Sequence, residues 1–134
     1  MKMGPHPELK VLIVDDENVV ADSLALVFST SGYDTRVAYS AEQAADIIGN
    51  WEPKLVILDV VLPGMNGIDF AIQLETKCPR CRVLLFSGQQ VTSTLVQEAV
   101  EKGHPFKVLA KPVHPTLFLD EAARLASAGP ASCA

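Results

Sequence analysis

Apolar residues along this chain form short, nearly continuous runs that are separated by longer amphipathic segments. Unbroken runs of Val, Ile and Leu are typical of strands that are buried on both faces of a sheet. The pattern predicts five strands, at residues 10–14, 34–38, 54–58, 82–86 and 107–110. Apolar residues at helical spacing predict five helices, at residues 18–31, 41–49, 66–76, 92–102 and 115–127.

Capping residues mark the ends of several predicted helices. Ser40 is suited to the N-cap of the second helix, where its hydroxyl can accept a backbone N–H. Gly32 and Gly103 follow the first and fourth helices, where glycine commonly ends a helix. Pro115 suits the first turn of the fifth helix, because the N–H that proline lacks has no helical partner there.

Strict alternation of strands and helices predicts an α/β fold, a doubly wound five-stranded parallel sheet with helices on both faces. In such sheets, ligands bind beyond the carboxyl ends of the strands, at the point where the strand order reverses. We expect one domain over residues 9–127. Residues 1–8 would be an N-terminal extension, and residues 128–134 a small-residue C-terminal tail.

Composition and charge exclude several classes of protein. The chain has 134 residues, the size of one ordinary domain, and a formal net charge of −5. Nucleic-acid binding needs clustered Lys and Arg, whereas the 11 basic residues are scattered along the sequence, so we expect no direct nucleic-acid partner. No apolar run approaches the ~20 residues of a membrane span, and no signal peptide is visible. We therefore expect a cytoplasmic protein with no membrane partner.

Two of the three cysteines, Cys78 and Cys81, form a single C-x-x-C motif. A structural zinc site needs four ligands, and the chain has no second pair. A thioredoxin-like redox motif is expected near a βαβ unit's first strand, not in the middle of the chain. We interpret both cysteines as surface thiols, with a disulfide or a metal role as the less favoured alternative.

Polar side chains lie at the ends of four predicted strands. Asp15 and Asp16 follow the first strand, Asp59 the third, Ser87 the fourth and Lys111 the fifth. Each alone is ordinary, since an Asp after a strand is usually a helix cap or a turn former. Together, at one edge of one sheet, they predict a site. The clustered carboxylates repel one another, and either a divalent cation such as Mg²⁺ or the Lys111 ammonium can offset that repulsion.

These residues stand in motifs that resemble those of the receiver domains of bacterial two-component response regulators. The segments are "VDDE", "LDVVLPGMNG" with the pattern D-x-x-x-P-x-x-x-G, "FSG" and "AKP", in the family's order. The resemblance covers residues 9–127. It implies a flavodoxin-like (βα)5 fold with strand order 2-1-3-4-5.

The resemblance implies a phosphorylation-activated signalling switch, not an enzyme, which catalyses only its own phosphorylation and dephosphorylation. Asp59 would accept a phosphoryl group from the phosphohistidine of a sensor histidine kinase or a phosphotransfer protein. Ser87 would hydrogen-bond one phosphoryl oxygen, and Lys111 would pair with another.

The resemblance also implies a Mg²⁺ cofactor. Asp16, Asp59 and the backbone carbonyl of Val61 would bind the ion directly, and Asp15 would hold it through water. The few residues after the last helix are too few for an effector domain, so we expect output through contacts with a downstream protein. A phosphorylation-linked dimer is a further partner that the resemblance allows.

The chain departs from the family at the aromatic residue that usually stands three positions before the lysine. Val108 occupies that position, and Phe106 lies two residues earlier. The residues that flank the approach of hydrolytic water in this family are here Val61 and Gln89.

Three other classes use a similar architecture. A haloacid-dehalogenase-like phosphatase needs D-x-D-x-[TV] after the first strand, and "DDENVV" lacks it. A flavodoxin-like cofactor binder needs a phosphate loop rich in Gly, Ser and Thr, where this chain has acids. The alternative that stays open is an unphosphorylated pseudo-receiver that acts as an interaction module. That class tends to lose an acid or the lysine, and this chain keeps them.

Overall fold

The computed structural model describes residues 10–87, 97, 101, 103, 107–110 and 115–128. The strands are β1 (Lys10–Val14), β2 (Asp34–Ala38), β3 (Leu55–Asp59), β4 (Val61–Leu62), β5 (Met65–Asn66), β6 (Arg82–Ser87) and β7 (Lys107–Ala110). The helices are α1 (Asn18–Thr30), α2 (Ala41–Asn50), α3 (Gly67–Lys77) and the C-terminal helix (Pro115–Ala128). Of the helix predicted at 92–102, only Gln97 and Glu101 are described, and both are helical.

The main sheet has five parallel strands in the order β2-β1-β3-β6-β7. This confirms the predicted α/β class and the order 2-1-3-4-5. The predicted strand boundaries agree with the structure to within one residue. For the inner strands β1, β3 and β6, burial on both faces requires mostly apolar residues, which makes the runs easy to recognise. The antiparallel pair β4–β5 forms a separate small hairpin that was not predicted.

Two buried cores lie on opposite faces of the sheet, because successive side chains of a strand point to opposite sides. On one face, α1 and the C-terminal helix cover the strands; this core includes Val11, Ile13, Ile57, Phe86, Leu24, Phe28 and Phe118. On the other face, α2 and α3 cover them; this core includes Leu12, Val14, Val56, Leu58, Ala44, Phe70 and Leu74. Within the described part of the chain, no helix has the length and apolar character to cross a membrane.

Strand register brings two predicted site residues to one edge of the sheet. Val14 pairs with Leu58 across β1 and β3. The residues that follow this pair, Asp15 and Asp59, are therefore neighbours at the same edge of the sheet. The N–H of Asp15 continues the ladder to the carbonyl of Ala38 on β2, at 3.1 Å.

The opposite edge of the sheet, where the strands begin, holds the single Trp of the chain. Trp51 lies between α2 and β3 and is 7% exposed. The guanidinium carbon of Arg36 lies 4.6 Å from its ring centre, and the ammonium of Lys10 lies 5.7 Å away. Both cations are within the range of cation–π attraction, which favours this packing.

Candidate functional site

Three carboxylates meet at the carboxyl ends of β1 and β3. Oxygen atoms of Asp15, Glu17 and Asp59 all lie within 4.8 Å of one another. Asp15 is fully buried and Asp59 is 4% exposed, whereas Glu17 is exposed to solvent. The cluster is therefore anchored by two carboxylates in the protein interior and open to solvent on one side.

The backbone after β1 orients Asp15. Its Oδ1 accepts the N–H of Glu17 at 2.9 Å, a local turn typical of Asp at the end of a strand. Glu17 is the N-cap of α1 and has extended backbone angles, φ −84° and ψ 102°. Its side chain makes no capping hydrogen bond and contributes instead to the carboxylate cluster.

The backbone after β3 orients Asp59 in the same way. Its Oδ1 accepts the N–H of Val61 at 3.0 Å. The N–H of Val60 donates to the carbonyl of Phe86 on β6, at 3.1 Å, so the chain stays attached to the sheet for one residue beyond β3. Asp59 thus lies at the tip of the central strand with its carboxylate held by the following residue.

Gly67 packs directly beneath this turn. Its N–H donates to the carbonyl of Val60 at 2.7 Å. A Cβ at this position would overlap the carbonyl oxygen of Asp59 and would lie 2.8 Å from the Cα of Val60. Only glycine therefore allows α3 to begin so close to the phosphoacceptor candidate.

The segment between Asp59 and α3 is a short hairpin. Val61 pairs with Asn66, and Leu62 with Met65, around a turn in which Gly64 has a φ of +75°. The side-chain oxygen of Asn66 accepts the N–H of Ile68 at 2.7 Å and caps α3. The hairpin and this cap fix the backbone that carries Asp59.

Asp16, predicted as a metal ligand, is exposed and is not a member of the carboxylate cluster. Glu17 is a member of the carboxylate cluster, and sequence reasoning did not identify it. The chain bends at Asp16, and the turn closed by the N–H of Glu17 on Oδ1 of Asp15 brings the Glu17 carboxylate to the cluster. The spacing of the acids in "VDDE" carries no periodic signal for this turn, so the sequence alone did not single out Glu17.

The remaining predicted residues are placed only in part. Ser87 ends β6 and pairs with Ala110 of β7, so its backbone lies at the same edge as Asp59. Its side-chain contacts lie outside the described part of the structure. Lys111, Gln89 and Phe106 lie outside the described residues. Val108 is a backbone member of β7.

The chemistry of the three carboxylates fits a hard divalent cation. Mg²⁺ prefers oxygen ligands and is usually bound by one or two carboxylates together with water and phosphate oxygens. The cluster contains no His or Cys, the ligands that favour zinc. A cation would also offset the mutual repulsion of the carboxylates. The donor set therefore fits the Mg²⁺ that the sequence motifs imply.

Comparisons with known proteins agree with the fold described above. The model of the response regulator receiver domain matches residues 11–123. A CheY-like receiver domain protein from Methanospirillum hungatei JF-1 is 24% identical, with a TM-score of 0.77, over 90% of this chain and 95% of that one. The receiver domain of NtrX from Brucella abortus is 28% identical, with a TM-score of 0.77, over 89% and 99%. A two-component response regulator from Clostridium difficile is 18% identical, with a TM-score of 0.80, over 90% and 97%.

Proposed function

Because this chain belongs to the response regulator receiver domain family, we propose that it is a phosphorylation-controlled signalling switch whose phosphoacceptor is Asp59. Receiver domains are signalling domains. The observation that carries the proposal is the position of Asp59 at the end of the central strand. There it is 4% exposed and lies beside the carboxylates of Asp15 and Glu17.

The proposed reaction moves a phosphoryl group from a phosphohistidine to Asp59. The N–P bond of the donor breaks, and a bond forms between phosphorus and a carboxylate oxygen of Asp59. Phosphoryl transfer depends on positioning and on neutralising charge. The hydrogen bond from Val61 holds the carboxylate in one orientation for attack. Ser87 and Lys111 are proposed to contact the phosphoryl oxygens.

The carboxylate cluster adds negative charge where a negatively charged phosphoryl group must approach. Bound Mg²⁺ supplies the charge neutralisation that this approach needs. We propose that Asp16, Asp59 and the carbonyl of Val61 bind the ion directly, and that Asp15 holds it through water. Glu17 adds a nearby charge that strengthens binding.

The proposed donor is a sensor histidine kinase or a phosphotransfer protein, and the proposed output is a protein–protein contact with a downstream target or with a second copy of the chain. A cytoplasmic location belongs to the same proposal. The net charge of −5 supports a protein target over nucleic acid.

A small phosphodonor with Mg²⁺ tests the phosphoacceptor by intact-protein mass. We expect the wild-type chain to gain one phosphoryl group and Asp59→Asn to gain none. Asp34→Asn is the matched control, since Asp34 is an exposed acid at the start of β2. Labelling of Asp59→Asn at wild-type stoichiometry contradicts the assignment. A wild-type chain that binds Mg²⁺ but takes no phosphoryl group supports the pseudo-receiver alternative.

Mg²⁺ titration followed by NMR, without a phosphodonor, tests the metal ligands. We expect Asp16→Asn to weaken binding by roughly tenfold, because a direct ligand is lost. Glu17→Gln should weaken it by only about threefold, because one screened charge is lost. The reverse order of the two effects assigns the direct ligand to Glu17, and unchanged titrations in both variants contradict the site.

A further inference from the structure

The turn between α3 and β6 carries two cysteines that the proposed function does not use. We propose that Cys78 and Cys81 form a reversible oxidation site, which closes an intramolecular disulfide when the protein meets a small-molecule disulfide. Both thiols are reduced in this structure.

The backbone already holds the two cysteines at the separation that a disulfide needs. Cys78 ends α3, with its N–H donating to the carbonyl of Leu74 at 2.8 Å. The N–H of Cys81 donates to the carbonyl of Cys78 at 3.0 Å, which closes a four-residue turn. The end Cα atoms of such turns are less than about 7 Å apart. Disulfides span about 4.4–6.8 Å, so the bond can form without displacing α3 or β6.

Pro79 at the second position favours this turn, because its ring fixes φ near the value that the position requires. The turn therefore persists whether the thiols are reduced or oxidised. A preformed turn lowers the entropy lost on ring closure, which favours the intramolecular bond over a bond to another molecule.

The expectation of two surface thiols was wrong for Cys78. Its side chain is 1% exposed, and its Sγ lies 3.8 Å from Oε2 of Glu52, which accepts the thiol hydrogen. Cys81 is partly exposed. Of the two sulfurs, Cys81 is therefore the one that a small disulfide can reach first.

Burial raises the pKa of both thiols, and the negative charge of Glu52 raises them further. A disulfide between thiols of low pKa is a strong oxidant and is easily reduced, because the stable thiolate favours the reduced form. In Cys78 and Cys81 the raised pKa disfavours the thiolate, so the reduced form lacks this stabilisation. We therefore expect slow oxidation at neutral pH and a product that resists reduction. The other charged residues near the pair are Lys77, Arg80 and Arg82 in the chain, and Lys54, whose carbonyl accepts the N–H of Arg82.

The oxidation proceeds in two exchange steps. The Cys81 thiolate attacks one sulfur of the oxidant RS–SR, a bond forms between Cys81 and that sulfur, and RS⁻ leaves and takes up the proton. Cys78 then loses its proton and attacks the Cys81 sulfur, which releases the second RS⁻. Two thiols lose two electrons, and one disulfide becomes two RSH.

The site lies at the edge of the sheet where β6 begins, opposite the edge where β3 ends at Asp59. Phosphoryl transfer and disulfide closure therefore involve separate groups. The proposal stands whether or not Asp59 is phosphorylated, and its test needs no phosphodonor.

The test uses the full chain with Cys133→Ser, which removes the third thiol. We expect oxidised glutathione to remove two hydrogens from the protein's mass, with no glutathione retained and no dimer, and dithiothreitol to restore them. Adding Cys78→Ser should stop the reaction at a mixed disulfide on Cys81. Adding Cys81→Ser should leave Cys78 at least tenfold slower to react, because its thiol is buried.

The pH dependence separates this site from ordinary exposed thiols. The oxidation rate should rise by about tenfold per pH unit from pH 7 to pH 9, since the thiolate fraction rises that steeply below the pKa. A plateau near pH 8.5 indicates an unperturbed thiol. A chain that retains both thiols, forms an intermolecular disulfide or keeps glutathione on both cysteines overturns the proposal.

Discussion

At the scale of single residues, Gly67 determines how closely α3 approaches the phosphoacceptor candidate. The backbone atoms of Asp59 and Val60 occupy the space that a Cβ would need. Backbone cannot move aside as a flexible side chain can. The absence of a side chain at one position is therefore part of the construction of the site.

Gly67→Ala should lower the free energy of unfolding by about 1–3 kcal/mol, the usual cost of overpacking. Urea denaturation with circular dichroism measures the change. Gly49→Ala is the control: a Cβ there meets nothing within 4 Å, and its place in α2 predicts a gain of up to ~1 kcal/mol. Equal stability of Gly67→Ala and wild type would contradict the close approach.

Val61 should control the lifetime of the phosphorylated state, given the proposed function. It follows Asp59 by two residues, is 48% exposed and carries branched methyls that cannot hydrogen-bond a water. Val61→Asn should speed loss of the phosphoryl group roughly 3- to 30-fold, since ~1.4 kcal/mol of barrier is tenfold in rate. Single-turnover decay with Mg²⁺ measures this. Val61→Ile should not speed decay, and slower decay of Val61→Asn contradicts this role.

At the scale of elements, the start of α2 is fixed by a pair of side-chain hydrogen bonds. The Ser40 hydroxyl accepts the N–H of Gln43 at 3.1 Å, and the Gln43 side chain accepts the N–H of Tyr39 at 2.9 Å. The two bonds satisfy one N–H of the first turn and one just before the helix. The predicted N-cap at Ser40 is therefore confirmed.

Ser40→Ala should cost about 1 kcal/mol of stability, because the first turn of α2 loses its cap. Ser23→Ala, an exposed position within α1, should be neutral or slightly stabilising. Thermal unfolding of the two variants side by side measures the difference. A Ser40→Ala chain as stable as Ser23→Ala would mean that water replaces the cap without cost.

The elements differ in how far the sequence predicts them. The inner strands of the main sheet were predicted closely, because burial on both faces requires mostly apolar residues. The hairpin Val61–Asn66 was not predicted. Strands of two residues carry no periodicity in the sequence, and the hairpin forms around the turn at Gly64. At the site, Asp15 and Asp59 could be predicted from strand ends. Glu17 could not, because its place depends on the local path of the chain after β1.

At the scale of the whole molecule, the sheet is stabilised from both faces, and the C-terminal helix completes one of them. Phe118 on that helix contacts Phe86 of β6 edge to face, with ring centres 5.3 Å apart. Both rings are buried. The packing of the last described helix therefore depends strongly on one aromatic pair at the centre of its core.

Phe118→Ala should lower the free energy of unfolding by about 3–5 kcal/mol, a large share of the 5–15 kcal/mol that is typical of a domain. Leu117→Ala, at a neighbouring and 49% exposed position, should change it by less than about 0.5 kcal/mol. Urea midpoints from circular dichroism measure both. A small effect of Phe118→Ala would show that the C-terminal helix contributes little to the core.

The buried position of Trp51 beside two cations has a spectroscopic consequence. Its indole is shielded from water and should emit at short wavelength, with a red shift on unfolding. Trp51 lies at the edge of the sheet where the strands begin. That edge is roughly 15 Å from the carboxylate cluster, the length of a five-residue strand. Mg²⁺ or a phosphoryl group at Asp59 should therefore leave the emission almost unchanged. Arg36→Ala, in contrast, should shift the emission of the folded protein, because that side chain lies over the ring.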